Sequence, residues 1–355
     1  MKIKLAVLDQ DKNYLNRIAS VFMSKFADKI EFYSFSDQEV AISSLATTKI
    51  DVLLSSTAFS IDMATLPKRC GFAYFVEATD VTKYNDQKTI CKFQKAEMIY
   101  KGILGIFSEH VSNSTGIKSD DDSTTKIIAL VSASGGVGSS TVAAACAKYF
   151  ALKDKKVLYV NLEQFGSADM FFQGDGQFDF SDIIYAIKSK KTNLSLKLES
   201  NVKQDASGVY FFSSTKNALD LMELKPEDIK ELFVTLTKMG VYDYIIADID
   251  FSICETTIEI LKTAKSILFV SDGSDISNAK FLRAFNSFNI LDEQRDVSIL
   301  GNLSIFYNKF SNKTGNMLEL ENSNVITVGG APKYQNATSE QVIQELMTLD
   351  IFEKI

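Results

Sequence analysis

Gly135, Gly136 and Gly138, followed by the hydroxyls of Ser139, Ser140 and Thr141, lie between an apolar run and an Ala-rich stretch in residues 126–150, KIIALVSASGGVGSSTVAAACAKYF. Residues 127–131 read as a buried strand and 142–152 as a helix, so the glycines form the turn that joins them. A strand, a glycine turn and a helix N-terminus aim backbone N–H groups and a positive dipole end at one point, which suits a polyphosphate. The candidate nucleotide-binding groups are therefore Gly135, Gly136, Val137, Gly138, Ser139, Ser140 and Thr141. Ser140 falls where such loops place the hydroxyl that ligates Mg²⁺. Ser139 occupies the place of the usual lysine, and Ala133 that of the usual first glycine. The loop is built to hold a nucleotide and poorly equipped to hydrolyse it quickly.

Two further strands must bring carboxylates to this loop. Residues 157–160 read as a strand ending in Asn161-Leu162-Glu163-Gln164, and 244–247 as a strand ending in Asp248. A carboxylate closing an apolar strand beside a phosphate loop is the Walker-B arrangement, in which Asp248 holds Mg²⁺ through water. A strand at 266–270, a helix at 274–290, a strand at 299–307 ending at Asn308, and a strand at 325–328 leading to Gly329-Gly330-Ala331-Pro332 continue the alternation.

Residues 1–111 alternate in the same way. Strands are expected at 3–8, 30–35, 51–54, 72–76 and 98–100. Helices are expected at 12–26, at 39–46 behind a Ser36 or Asp37 cap, weakly before Cys70, near 87–94, and at 103–111. Such alternation implies a parallel sheet covered on both faces. The polar, acidic stretch 112–125, SNSTGIKSDDDSTT, reads as a linker to a second domain at 126–355. The fold class is α/β, with two doubly wound domains.

Composition excludes several chemistries. His110 is the only histidine, which leaves no basis for histidine metal sites or a Ser-His-Asp triad. Cys70, Cys91, Cys146 and Cys254 lack metal-ligand spacing and read as reduced thiols of a cytoplasmic protein. The net charge of −7 argues against a nucleic-acid track or an anionic membrane as the main partner. No apolar run is long enough to span a bilayer, and no direct membrane insertion is expected. The C-terminal stretch 339–354 has Val342, Ile343, Leu346, Met347 and Phe352 near helical spacing, but Glu340, Glu345, Asp350 and Glu353 make its polar face acidic. It reads as a helix docked on the core rather than on lipid. Phe171, Phe172, Phe178 and Phe180 read mainly as core.

The order of elements in 1–111 resembles a response-regulator receiver domain. Asp9 and Asp11 match that family's acidic pair after the first strand, and Lys101 is expected to match its lysine after the fifth. Ser55 stands where the phospho-accepting Asp belongs, and serine cannot form an acyl phosphate. The resemblance therefore implies an interaction module without phosphotransfer. Asp9 and Asp11 retain a Mg²⁺ reading beside that of a solvated loop pair.

Residues 126–355 resemble the MinD/ParA family of deviant-Walker ATPases. Its loop pattern Lys-Gly-Gly-x-Gly-Lys-Thr-Thr aligns with Ser134 through Thr141. Its acidic turn aligns with Asn161-Leu162-Glu163, and its Walker-B Asp with Asp248. Asn308 and Pro332 fall at positions that flank adenine in that family. Together with a receiver-like domain, this resembles the TadZ/CpaE branch, which serves Flp-type (tight-adherence) pilus assembly. The resemblance implies ATP and Mg²⁺ as cofactors, with Ser140 and Asp248 at the metal. It also implies Glu163 as a candidate water-positioning carboxylate, a homodimer through the P-loop domains, and pilus or secretion-system partners at the cell pole.

Ser134 and Ser139 replace both loop lysines. Because electrostatic stabilisation is usually the largest catalytic contribution, hydrolysis should fall by several orders of magnitude. Lys309, next to Asn308, is a candidate replacement for the lost charge. Three readings stay open: an ATP-binding, dimer-forming localisation factor with little or no hydrolysis, an active ATPase that drives polar positioning, and a nucleotide-free scaffold. A phosphorylated DNA-binding regulator is disfavoured by Ser55 and the lack of basic charge.

Overall fold

The computed structural model describes residues 2–110, 124–190, 193–295, 297–320 and 324–355. The linker expected at 112–125 lies outside these residues apart from Thr124 and Thr125. The chain divides into two units, Met1–Gly116 with Ser189–Asn201 and Ile117–Lys188 with Val202–Ile355.

In the first unit, Ile3–Leu8 (β1) is apolar at almost every position because both faces of its sheet are covered. Leu5 and Val7 face one core, and Ala6 and Leu8 the other. Helix Lys12–Lys25 (α1) starts at Asp11, whose carboxylate accepts from the amides of Asn13 and Tyr14. Strand Ile30–Phe35 (β2) leads to helix Gln38–Thr48 (α2), capped by Asp37. Strands Val52–Ser56 (β3) and Gly71–Val76 (β4) follow. The helix expected before Cys70 is only a 3-10 turn at Met63–Thr65.

Two expectations are overturned beyond β4. Residues expected as a helix near 87–94 form a hairpin of Lys83–Tyr84 (β5) and Gln87–Cys91 (β6). Asn85 and Asp86 both have positive φ, 48° and 59°, the geometry of a tight two-residue hairpin loop. Residues 98–100, expected as a strand, lie inside helix Ala96–Ser108 (α3). Ile99, Tyr100, Ile103, Leu104, Ile106 and Phe107 are buried along it at helical spacing. The sheet runs β2-β1-β3-β4-β6-β5, parallel except for the hairpin. α1 and α3 cover one face and α2 the other, so the unit is doubly wound.

The second unit begins with Lys126–Val131 (β7), followed by helix Ser139–Leu152 (α4) and Val157–Asn161 (β8). Helices Ala168–Phe171 (α5) and Phe180–Ser189 (α6) come next. Leu194–Asn201 (α7) packs along α3 as part of the first unit. The chain continues through Lys203–Gln204 (β9), Tyr210–Phe211 (β10), Leu219–Met222 (α8) and Pro226–Lys238 (α9). Tyr244–Asp248 (β11), Glu255–Thr263 (α10), Ser266–Ser271 (β12) and Asp275–Arg295 (α11) follow. Leu303–Phe310 (β13), Ile326–Pro332 (β14) and Ser339–Met347 (α12) complete it.

Its sheet runs β14-β13-β12-β7-β11-β8-β10-β9, parallel except for β9. The strand order turns back at β7, where a doubly wound sheet opens a crevice beyond its carboxyl ends. α4 is fully buried from Val142 to Ala147, and its alanines let it sit close between the sheet and α12. Ile343, Leu346 and Phe352 are buried in the same core as α4, so the acidic-faced C-terminal stretch docks inward. Phe172 and Phe180 are also core, and Phe171 packs against it.

Candidate nucleotide site at the β7–α4 loop

The loop turns on glycines that no other residue could replace without strain. Gly136 and Gly138 have φ of 78° and 88°. A Cβ on Gly138 would lie 2.7 Å from Asn308 Nδ2. Val137 turns its side chain into the core, while its carbonyl accepts from Asn308 Nδ2 at 2.7 Å. Gly135 and Gly136 stay exposed. Among the described residues, no side chain caps α4, so its first-turn amides are left for another acceptor.

Register carries the acidic groups to the same end. β11 lies between β7 and β8, with Asp248 beside Leu130 on one side and Asn161 on the other. Ser140 Oγ donates to Glu163 Oε1 at 2.7 Å. With its proton held by a carboxylate, that hydroxyl keeps its lone pairs free for a cation. Glu163 Oε2 accepts from Asn161 Nδ2 and Ser167 Oγ, both at 2.8 Å. Asp248 is fully buried and accepts from Tyr159 OH at 2.6 Å and Asn161 Nδ2 at 3.2 Å. Burial first, and Glu163 second, push its carboxyl up to about 7. Burial and Asp248 in turn hold the Tyr159 phenol well above its usual range.

The residues present fit a nucleotide with Mg²⁺. Ser134 Oγ, Ser139 Oγ, Asp248 Oδ1 and Asn308 Oδ1 are buried oxygens with no hydrogen-bond partner among the described residues. Buried polar atoms normally have partners, so a cluster of orphans around one loop marks a place for a polar ligand. Thr141, Asn308 and Pro332 line one cavity of about 240 Å³, together with Lys309, Lys333 and Tyr334. Among the described residues, no three His, Cys, Asp or Glu side chains form a ready-made metal cage. A Mg²⁺ held here would therefore take most of its ligands from phosphate and water.

Sequence reasoning missed Tyr159. Its only signal is a tyrosine in an otherwise aliphatic strand, two residues before Asn161 and so on the same face.

The receiver-type residues are arranged differently from expectation. Lys101 lies within α3, away from any strand end. The lysine that follows the last parallel strand is Lys92, whose Nζ pairs with Asp9 Oδ2 at 2.6 Å in a nearly buried ion pair. Asp9 also accepts from the Asp11 amide, and Asp11 is occupied as the cap of α1. Ser55, one residue before the end of β3, is fully buried, its hydroxyl on the Ser56 carbonyl.

Residues 1–108 match the family model described as TadZ-like, receiver domain, and residues 125–298 match that of an AAA domain. Among solved structures, a ParA family ATPase from Chlorobium tepidum TLS is 22% identical, with 65% of this chain and 96% of that chain covered at a TM-score of 0.50. A plasmid partition protein from Borrelia burgdorferi is 20% identical over 65% of this chain and 99% of its own, with a TM-score of 0.49. The MinD cell division protein of Aquifex aeolicus is 18% identical over 64% and 96%, also at 0.49. No curated protein matches the chain. From the two family matches, its strand order and the likeness to the Chlorobium structure, the chain joins a TadZ-like receiver domain to an AAA-type P-loop domain with a ParA-like fold.

Proposed function

We propose that the protein is an ATP-binding localisation and assembly factor for a Flp-type pilus secretion machine, dimerising through its P-loop domain, with slow or no hydrolysis. The observation that carries this is the pairing of an intact phosphate cradle with serines at both lysine positions. The amides from Gly135 to Thr141 would bind phosphate, and Ser140 with Asp248 would hold Mg²⁺, the latter through water. Asn308 and Pro332 would flank the base in their shared cavity, which is small beside the roughly 300–1,000 Å³ of whole-ligand pockets. Bound Mg²⁺ would supply charge neutralisation at the phosphates.

Glu163 is near enough to orient water, yet three donors already hold its carboxylate. Its role would then be to tie the segment from Asn161 to Ser167 to the phosphate loop more than to activate a nucleophile. The receiver domain pairs Asp9 with Lys92 and carries serine where an acceptor Asp belongs, which suits docking rather than phosphotransfer. Pilus machinery is the proposed partner because the TadZ-like match covers that domain.

The test combines equilibrium binding of ATP and ADP, with and without Mg²⁺, with phosphate release and light scattering. Micromolar binding with negligible turnover and a nucleotide-stabilised dimer are expected. Turnover abolished by Asp248→Ala and Glu163→Ala would instead establish an active ATPase. No binding at millimolar ATP would leave a scaffold.

A further inference from the structure

We infer that Lys309 is the cation that compensates phosphate charge at this loop, standing in from another strand for both absent loop lysines. The inference rests on the nucleotide reading above. Lys309 Nζ donates to the Gly136 carbonyl at 2.7 Å, bridging from the end of β13 to the phosphate loop. Its Cε and Nζ lie 3.5 and 3.8 Å from where a Cβ on Gly138 would sit. The ammonium is therefore already over the glycines that the phosphates would approach.

The backbone holds it there at a cost. The β13–β14 register shifts between Tyr307 and Phe310, so Asn308 and Lys309 bulge out of the ladder. Lys309 has φ 58°, a left-handed conformation that glycine adopts freely and lysine does not. Asn308 pins the bulge through Val137, and its own Oδ1 is buried and unpartnered at the same place. A position that would suit glycine thus carries a long cationic side chain aimed at the loop.

Charge balance points the same way. Asp248 and Glu163 stand on one side of the loop, and Asp250 adds to the negative potential at Asp248. A polyphosphate entering here meets carboxylates and no lysine from the loop itself. Among the described residues, Lys309 has no carboxylate within ion-pair distance. Exchanging a neutral carbonyl for a phosphate oxygen adds the attraction of opposite charges to a hydrogen bond whose donor is already ionised. Lys333 lines the same cavity and, among the described residues, makes no hydrogen bond to the loop, which makes it the natural control.

The experiment uses the full chain and measures dissociation constants for Mg·ATP, Mg·ADP and AMP by isothermal titration calorimetry. Lys309→Met is expected to weaken Mg·ATP by roughly tenfold or more, to weaken Mg·ADP less, and to leave AMP unchanged. Lys309→Arg should restore most of the ATP affinity, and Lys333→Met should leave the ATP-to-AMP ratio as in the wild type. Lys309→Gly, relieved of its backbone strain, should melt no lower than the wild type and show the same selective loss. That variant keeps the test decisive if Lys309→Met fails to fold. Mg·ATP binding within about twofold of wild type in the folded Met and Gly variants would overturn the inference, as would an equal loss for AMP. A wild type that binds none of the three nucleotides would instead sink the nucleotide reading on which the inference stands.

Discussion

Asp248 concentrates the chemistry of the site in one buried carboxyl. Its folded-state value of about 7 stands above the roughly 3.9 of an unfolded aspartate. Between those values the unfolded chain gives up its proton first, so the nucleotide-free protein loses stability as pH rises from about 4 to about 7. Asp248→Asn keeps an acceptor for Tyr159 and removes the buried charge. In urea titrations, its stability gain over wild type should grow across that window, to at most about 4 kcal/mol above pH 7. The same variant should lose the Mg²⁺ dependence of ATP binding. A gain that stays flat with pH would show that Asp248 is ionised throughout. Asp248 and the glycines stand out in the sequence because an acid ending an apolar strand and a glycine turn are local patterns. Tyr159 and the reach of Lys309 are not local. The first depends on β8 pairing with β11 in register, and the second on a bulge in a strand more than 170 residues beyond Gly136.

At the scale of elements, the doubly wound, largely parallel α/β class of both sheets followed from alternation, and the errors cluster where apolar runs are short. Ile99 and Tyr100 look like a strand in isolation, yet they continue the buried stripe of α3. Thr89, Ile90 and Cys91 form the parallel strand that a helix was expected to cover, with Asn85-Asp86 as the unread hairpin signal. The consequence reaches a residue: the lysine beside the acidic loop is Lys92, not Lys101. It also explains Gly102, where a Cβ would stand 2.8 Å from Ile90 Cδ1, so that α3 presses directly on β6. Helix propensity alone makes a glycine-to-valine change mildly favourable. The close approach reverses that sign. Gly102→Val should destabilise the protein by about 1–3 kcal/mol in urea unfolding. Adding Ile90→Ala should cost less in that background than in the wild type, because the two sites share the same space.

For the molecule as a whole, position in the chain and membership of a unit do not coincide. Residues 189–201 follow the P-loop helix and strand in sequence, yet α7 belongs with the first unit, where Tyr100 OH meets Glu199 and Leu196 packs on its core. Nothing in the composition of that polar stretch announces it, because its partner surface on α3 is recognisable only once α3 is known to be a helix. Among the described residues, no helix is long and apolar enough to cross a membrane. The exposed large apolar side chains of the second unit include Phe165, Met170 and Met222.

Phe165 gives the Ser140–Glu163 bond an optical consequence. It sits two residues beyond a carboxylate fastened to the phosphate loop, and it is 82% exposed. The chain contains no tryptophan, so it is dark where indoles emit. Phe165→Trp would place a single fluorophore on the segment that Glu163 tethers. Its emission maximum should shift when Mg·ATP is added, and adding Glu163→Gln should mute the shift. One indole would then turn the occupancy of the loop into a colour.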